Sequence, residues 1–153
     1  MKKLFLVVLA FMLMLTVGCG KETHIEGELA DLMTKVYEGI KDEDKPMMLI
    51  NTEVNEENVE YFLGSSDIEY ESALASESGV GSIAHSVVLV RAKKGQDVEK
   101  LKNDIKESIN PRKWICVGVE EDNVIVDNIG DLVILIMDNS YPKTLHDNFK
   151  NLK

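Results

Sequence analysis

The first eighteen residues set the limits of the part of the chain that can fold. Lys2 and Lys3 precede an uncharged apolar run, Leu4–Val17, and small residues follow at positions 18–20. Crossing a membrane takes about 20 apolar residues, so this run is too short for a transmembrane helix and is typical of the apolar part of an export signal. We therefore predict that residues 1–18 are a signal peptide that takes no part in the fold.

The residues around the predicted cleavage site indicate how the mature chain is held. Leu15-Thr16-Val17-Gly18-Cys19 resembles the lipobox of bacterial lipoprotein signal peptides, whereas an ordinary export signal ends in an Ala-x-Ala-like site. The resemblance implies that cleavage precedes Cys19 and that a diacylglycerol is joined to the Cys19 sulfur. Two acyl chains hold a protein stably on a membrane, so the anchor needs no transmembrane helix. A plain secretory signal and a short uncleaved anchor are the alternatives.

A polar segment, Gly20–Gly27, follows the predicted lipid anchor and is expected to be a tether. It reaches about 28 Å when fully extended at ~3.5 Å per residue, which would keep the domain near the extracytoplasmic face of the cell membrane. We predict three parts: a signal peptide (1–18), a lipidated Cys19 with its tether (19–27) and a single domain (28–153).

Charge and cysteine content exclude some functions. The formal charge of −10 becomes −12 when Lys2 and Lys3 leave with the signal peptide. Nucleic acid is excluded as a partner, because phosphate binding needs clustered Lys and Arg.

Cys116 is the one thiol left beside the lipidated Cys19, so no internal disulfide is expected. It has alternating apolar neighbours in Arg112–Val117, and we predict a buried, inert cysteine.

Four helices are predicted from apolar spacing and from residues that start or stop helices. They cover Glu28–Asp42, Asn55–Leu63, Asp97–Asn110 and a segment that begins at Asn139–Pro142 and ends at Leu152. Gly64 is expected to end the second helix, because glycine readily adopts the left-handed conformation of a C-cap. Pro111 is expected to end the third helix, because proline lacks the backbone N–H that a helix interior uses.

Strands are predicted where β-branched and apolar residues alternate or run together. They cover Asp67–Ser78, Ile83–Ala92, Leu132–Met137 and, as candidates before that last strand, Trp114–Glu120 and Asn123–Asp127. Ile83–Ala92 suits a central strand with both faces covered, whereas Met47–Ile50 is expected to be an extended apolar connector. The element order, ααββαββα, predicts an α+β fold, a two-layer sandwich with a mainly antiparallel sheet of about four strands.

Four segments carry a resemblance to a known family. They are Lys45-Pro46-Met47-Met48-Leu49, Asn58-Val59-Glu60-Tyr61-Phe62, Ser86–Lys93 before a helix, and Leu132–Asp138. Through them, Glu28–Leu152 resembles a family of small lipoproteins of Gram-positive bacteria known as domain of unknown function 4358. The resemblance implies a lipoprotein with one small α+β domain, and it implies no activity and no functional residue.

The segment around Gly79 contains two patterns that imitate catalytic motifs. Gly79-x-Gly81-x-x-Ala84 has the spacing of a dinucleotide fingerprint, but that motif needs a helix after it and here a strand is predicted. Ser82, His85 and Ser86 lack the Gly-x-Ser-x-Gly elbow of a hydrolase. We interpret the glycines as a turn and His85 as a strand histidine whose hydrogen bonds are satisfied.

The histidines and the acidic residues give no metal motif. His24, His85 and His146 are predicted on the tether, a strand and a helix, without His-x-x-x-His or Cys-rich spacing for zinc. Glu120-Glu121-Asp122 lacks the alternating acidic loop of a calcium site and is interpreted as a solvated rim, with Asp127 and Asp131 nearby. We predict no catalytic, cofactor or metal residue, which leaves the lipidation site as the one functional residue.

A single small domain, a lipid anchor and no reaction motif lead to one functional hypothesis. The protein is expected to be a non-catalytic binding or accessory subunit of the cell envelope, held by the lipid on Cys19 and bound to an envelope protein or polymer. A small cell-envelope hydrolase is the first alternative. A solute-binding lipoprotein is the second, although the chain is short for two lobes that close around a ligand.

Overall fold

The computed structural model describes residues 23–152. The predicted signal peptide and Cys19 lie outside the described residues. Within residues 23–152, no helix is long and apolar enough to cross a membrane.

A five-stranded sheet runs through the middle of the domain. Its strands are β1 (Leu49–Glu53), β2 (Ser72–Ser78), β3 (His85–Arg91), β4 (Val124–Ile129) and β5 (Leu132–Asp138). Their spatial order is β1-β2-β3-β5-β4, and every neighbouring pair is antiparallel. Strands β3 and β5 are buried along their whole length, which explains why both read as nearly continuous apolar runs.

In the part of the chain that the structure describes, four α-helices surround the sheet, and local residues set their ends. They are α1 (Leu29–Val36), α2 (Val59–Leu63), α3 (Val98–Ser108) and α4 (Pro142–Lys150). Asp97 caps α3 by accepting a hydrogen bond from the backbone N–H of Lys100. Pro142 is the first residue of α4, where its missing N–H is harmless. Gly64 follows α2 with a φ of 89°, as expected for a glycine that ends a helix.

Apolar side chains pack on both faces of the sheet. Helices α1 and α4 cover one face, here called the α1/α4 face, where they contact Val87 and Leu89. Helices α2 and α3 cover the other, the α2/α3 face, where they contact Val88 and Val90. Successive residues of β3 therefore alternate between two cores, as the twofold periodicity of a strand requires.

The predicted α+β class is confirmed, and two details of the predicted architecture are wrong. The predicted connector Met47–Ile50 leads into the edge strand β1, so the sheet has five strands rather than about four. Helices lie on both faces, so the layers are helix, sheet and helix instead of two. The third layer follows from β3 and β5, because each is apolar on both faces and each face needs cover.

The segment between α3 and β4 also differs from its prediction. Trp114–Glu120 forms no strand, and it crosses the end of the sheet as irregular chain with Trp114 and Val119 buried. Cys116 is exposed, with a φ of 60°, so the prediction of a buried cysteine is wrong. The alternating pattern misleads because the chain turns here, which leaves Ile115 70% exposed.

The sheet has two ends that matter for the position of the N-terminus. The His85 end carries His85 and Asp138, and the Arg91 end carries Arg91 and the β4–β5 turn. Residues 23–27, predicted as part of the tether, pack against the Arg91 end. Arg91 donates hydrogen bonds to the carbonyl oxygens of Ile25 (2.8 Å) and Gly27 (3.1 Å), and Ile25 is buried. Residues 25–27 are therefore held against the sheet, although they were predicted as tether.

Candidate functional site

Large exposed apolar side chains are concentrated in one region of the described surface. They are Met47 (68% exposed), Met48 (64%), Ile50 (49%), Tyr61 (49%) and Ile115 (70%), here called the apolar patch. Single exposed apolar residues are normal on a protein surface, but a contiguous group marks an interaction site. Whether these five form one surface decides how they are interpreted.

The loop between β2 and β3 joins three members of the apolar patch. The Gly79 N–H donates to the Met48 carbonyl oxygen (2.9 Å), and a Cβ at Gly79 would lie 2.9 Å from Cδ1 of Ile50. Two residues later, the Gly81 carbonyl oxygen accepts from the Ile115 N–H (2.9 Å). Met48, Ile50 and Ile115 are thus held around one short loop, at the His85 end of the sheet.

A buried polar cluster around Glu77 lies beneath the apolar patch and holds Tyr61 and the segment before Ile115 against the sheet. Glu77 on β2 lies opposite Ile50 of β1. Its Oε1 accepts hydrogen bonds from the Tyr61 hydroxyl (2.5 Å) and from Nε1 of Trp114 (3.0 Å), and its Oε2 accepts from Nζ of Lys113 (2.7 Å). The side chains of Lys113 and Glu77 are only 6% and 11% exposed. A carboxylate with three donors therefore ties α2 and the 113–115 segment to the sheet.

The electrostatics of this cluster follow from its burial. The Lys113 ammonium lies 4.1 Å from the centroid of the Tyr61 ring and close to the rings of Phe62 and Trp114. Burial lowers the pKa of Lys113, although its hydrogen bond with Glu77 favours the charged form. Burial and the bond to Glu77 raise the pKa of the Tyr61 hydroxyl. The cluster is a structural clamp whose atoms are already paired with one another.

Backbone strain occurs beside the same patch. Among residues 23–152, Met48 and Cys116 are the two residues other than glycine with positive φ, at 52° and 60°. Such conformations are unfavourable for residues with a Cβ and are found preferentially at functional sites. Met48 belongs to the apolar patch and Cys116 directly follows Ile115, which sets this part of the surface apart from the remainder of the described chain.

The outer edge of β1 is the second component of the site. The Gly79 N–H donates to Met48, and the Val54 N–H donates to Ala73 (both 2.9 Å), so the even-numbered residues of β1 face β2. In an antiparallel pair, the residues between them direct their N–H and C=O groups away from the neighbour. These are Leu49, Asn51 and Glu53. The Glu53 carbonyl oxygen accepts a hydrogen bond from Nδ2 of Asn58 (3.0 Å), so the outward donors and acceptors beside the apolar patch are those of Leu49 and Asn51.

A buried chain of hydrogen bonds around His85 is the other candidate site. His85 is 2% exposed, with Nδ1 2.9 Å from Oδ1 of Asp138 and Nε2 2.7 Å from the Tyr37 hydroxyl. Asp138 also accepts from the backbone N–H groups of Ser140 and Tyr141. Burial opposes ionisation of Asp138, but these hydrogen bonds outweigh it and lower its pKa.

The chemistry of the His85 chain argues against an active site. Burial raises the pKa of the Tyr37 hydroxyl, so it stays protonated and is a poor nucleophile. Both ring nitrogens of His85 are satisfied, which confirms the prediction of a satisfied strand histidine. The adjacent cavity of about 120 Å³ is smaller than a typical ligand pocket. The chain of bonds links α1 to the sheet.

The remaining predicted candidates are dispersed. Ser82 lies in the turn after β2, and Ser86 faces Lys113 on the α2/α3 face, whereas His85 points to the opposite face. Among residues 23–152, no three His, Cys, Asp or Glu side chains are placed to hold a metal. The two other histidines lie beside separate carboxylates, His24 beside Asp131 and His146 beside Asp127.

The acidic rim and the glycine motif fall on surface turns. Glu120-Glu121-Asp122 is exposed, and a 3₁₀ turn covers Glu121–Asn123. Gly79-x-Gly81 lies between two antiparallel strands, so no helix N-terminus follows it to hold a phosphate. The acidic segment is therefore a solvated rim and the glycine segment is a turn, as the sequence predicted.

Comparison with known proteins adds no functional residue. The chain matches no protein-family model, and no curated protein or solved structure is significantly similar to it. The candidate site therefore rests on its own geometry. Sequence reasoning missed it, although the run of apolar residues from Met47 to Ile50 next to Pro46 was a signal that could have identified part of the patch.

Proposed function

We propose that the protein is a lipoprotein of the cell envelope, anchored through Cys19 on the extracytoplasmic face of the membrane, whose domain binds another envelope protein through the apolar patch. The observation that carries the proposal is the concentration of exposed apolar side chains beside an unpaired strand edge. The lipobox resemblance supports the anchor, and the resemblance to domain of unknown function 4358 agrees with a small anchored domain.

The position of the patch supports a protein partner rather than the lipid surface. The chain enters the domain at the Arg91 end, where the Thr23 carbonyl oxygen accepts from the Asp131 N–H (3.0 Å), whereas the patch lies at the His85 end. Seven residues of β3 separate the two ends by about 20 Å at ~3.3 Å per residue. Residues 19–23 extend by about 14 Å at most. An anchored domain would thus present the patch away from the bilayer.

Photocrosslinking in native membranes tests the proposal. A photoactivatable amino acid replaces Ile115 in the full-length chain, and the matched control carries it at Lys106, which is exposed on α3 away from the patch. We expect one discrete adduct from position 115 and none from position 106. Equal labelling at the two positions, or none at either, contradicts the docking surface. Cys19→Ser should release the protein from the membrane fraction, and membrane retention of that variant contradicts the anchor.

A further inference from the structure

We infer that the partner binds by adding an extended, basic segment to the sheet as a sixth strand, paired with the outer edge of β1. This inference rests on the proposed function, because it specifies the partner of the same surface. Strand addition gives affinity through main-chain hydrogen bonds and specificity through the side chains on either side.

The first argument is that β1 lacks the devices that normally protect an edge. Natural edge strands carry Lys, Pro or a covering element that prevents pairing. The opposite edge strand, β4, has two lysines bonded to it: Lys102 donates to the Asn128 side chain, and Lys150 donates to the Asp127 side chain and to the Asn128 carbonyl oxygen. Strand β1 has neither lysine nor proline in Leu49–Glu53, and Ile50 and Asn51 are exposed, so Asn58, which bonds to the Glu53 carbonyl oxygen, protects one end of this edge alone. The two edges of the sheet therefore differ in how well they are protected from pairing with another strand.

The second argument is the charge at the Arg91 end of β1. Glu53, Glu56 and Glu57 are exposed there, and none of them forms an ion pair with any residue in the range 23–152. Burial, followed by the carboxylates of Glu56 and Glu53, raises the pKa of the Tyr70 hydroxyl, so the two acidic side chains act on the same spot. A strand with Lys or Arg near one end and apolar side chains near the other complements this edge.

A second copy of the chain fits the edge poorly. Two β1 strands paired about a twofold axis at Asn51 would place Leu49 of each copy opposite Glu53 of the other, an apolar residue against a carboxylate. Each acidic end would therefore meet the apolar end of the other copy, and two copies of a protein whose formal charge is −10 would also repel one another as whole bodies. Self-pairing is therefore the competing outcome that the experiment must detect.

The experiment compares two substitutions at one position. In the full-length chain with the photoactivatable residue at 115, Asn51→Pro removes an outward-facing N–H but no hydrogen bond to β2, as prolines at sheet edges do. The matched control, Asn51→Ala, removes the side chain and keeps the N–H. We expect Asn51→Pro to lower the adduct yield at least tenfold and Asn51→Ala to change it less than twofold, with equal thermal unfolding midpoints. Should Asn51→Pro unfold, Asn51→Lys blocks the edge by the natural device and gives the same comparison.

Each outcome has one meaning. A tenfold loss with Asn51→Pro, and an adduct whose crosslinked partner peptide contains Lys or Arg, supports strand addition. An adduct insensitive to Asn51→Pro overturns strand addition and leaves the proposed docking surface standing, whereas no adduct in the parent overturns both. An adduct of two copies of the chain overturns the basic partner.

A double variant, Glu56→Gln with Glu57→Gln, tests the charge argument. It should lower the adduct yield at least twofold at low salt, and an unchanged yield contradicts the argument. The difference between the double variant and its parent should vanish near 1 M salt, where the Debye length is about 3 Å.

Discussion

Glu77→Gln would leave the buried Lys113 ammonium without its charged partner. The two side chains are 2.7 Å apart and nearly inaccessible, so neither can recover solvation by a small movement. Removing one member of a buried ion pair typically costs about 3–5 kcal/mol. Glutamine keeps a carbonyl oxygen for the donors of Tyr61 and Trp114, so we expect the lower value, about 3 kcal/mol, in the free energy of unfolding.

Urea unfolding measures this loss directly, and the thermal midpoint should fall by about 10 °C for a domain of this size. The informative control is Glu77→Gln combined with Lys113→Met, which removes both charges and keeps the acceptor. We expect the double variant to regain most of the loss, because a buried pair can often be replaced by uncharged groups at little cost. A loss below about 1 kcal/mol for the single variant, or additive losses in the double variant, would refute the description of the cluster as a clamp.

Three further substitutions test individual positions. Gly64→Ala should destabilise the protein by more than 2 kcal/mol in urea, because a Cβ there would lie 2.2 Å from a backbone oxygen of α3; Gly95→Ala, with similar φ and no neighbour within 4 Å, should lose only about 1 kcal/mol. Gly130→Ala should detach the N-terminal segment, since its Cβ would overlap the Thr23 carbonyl, and amide exchange would show lost protection in that segment without global unfolding. Although burial opposes it, hydrogen bonds from α4 lower the pKa of Asp127 to about 2. The contribution of Asp127 to the free energy of unfolding is complete above the unfolded pKa near 4 and is lost as the pH falls toward 2. Asp127→Asn should therefore reduce the loss of stability between pH 4 and pH 2 by about 1 kcal/mol after solvent screening. An unchanged slope of stability against pH would contradict this.

The elements that sequence could predict are those whose signals are local. Gly64 acts on its own neighbours and ends α2 as expected, and α3 begins beside Asp97, where the helix was predicted to start. The run Ile83–Ala92 indicates a covered central strand because its composition leaves no polar face, and β3 confirms it. The α+β class follows from such signals without knowledge of any long-range contact.

The elements that sequence missed depend on contacts between distant residues. Strand β1 has no clean alternation, and it becomes a strand because β2, more than twenty residues later, pairs with it. Trp114 leaves the expected strand to reach Glu77, which lies 37 residues away. Ile115 reads as a core residue, but the chain turns here instead of forming a strand, which leaves Ile115 on the surface. The candidate site consists largely of such residues, so the sequence pattern could have indicated its Met47–Ile50 part but not the contribution of Ile115.

The bare edge of β1 also affects how the isolated protein behaves in solution. At neutral pH, mutual repulsion between acidic bodies keeps neighbouring edges from meeting. This repulsion disappears near the isoelectric point of about 4.8, while the outward N–H and C=O groups of Leu49 and Asn51 stay available. Purified protein brought to that pH should therefore pair through its native β1 edges, and a dimer should form before any loss of the folded state.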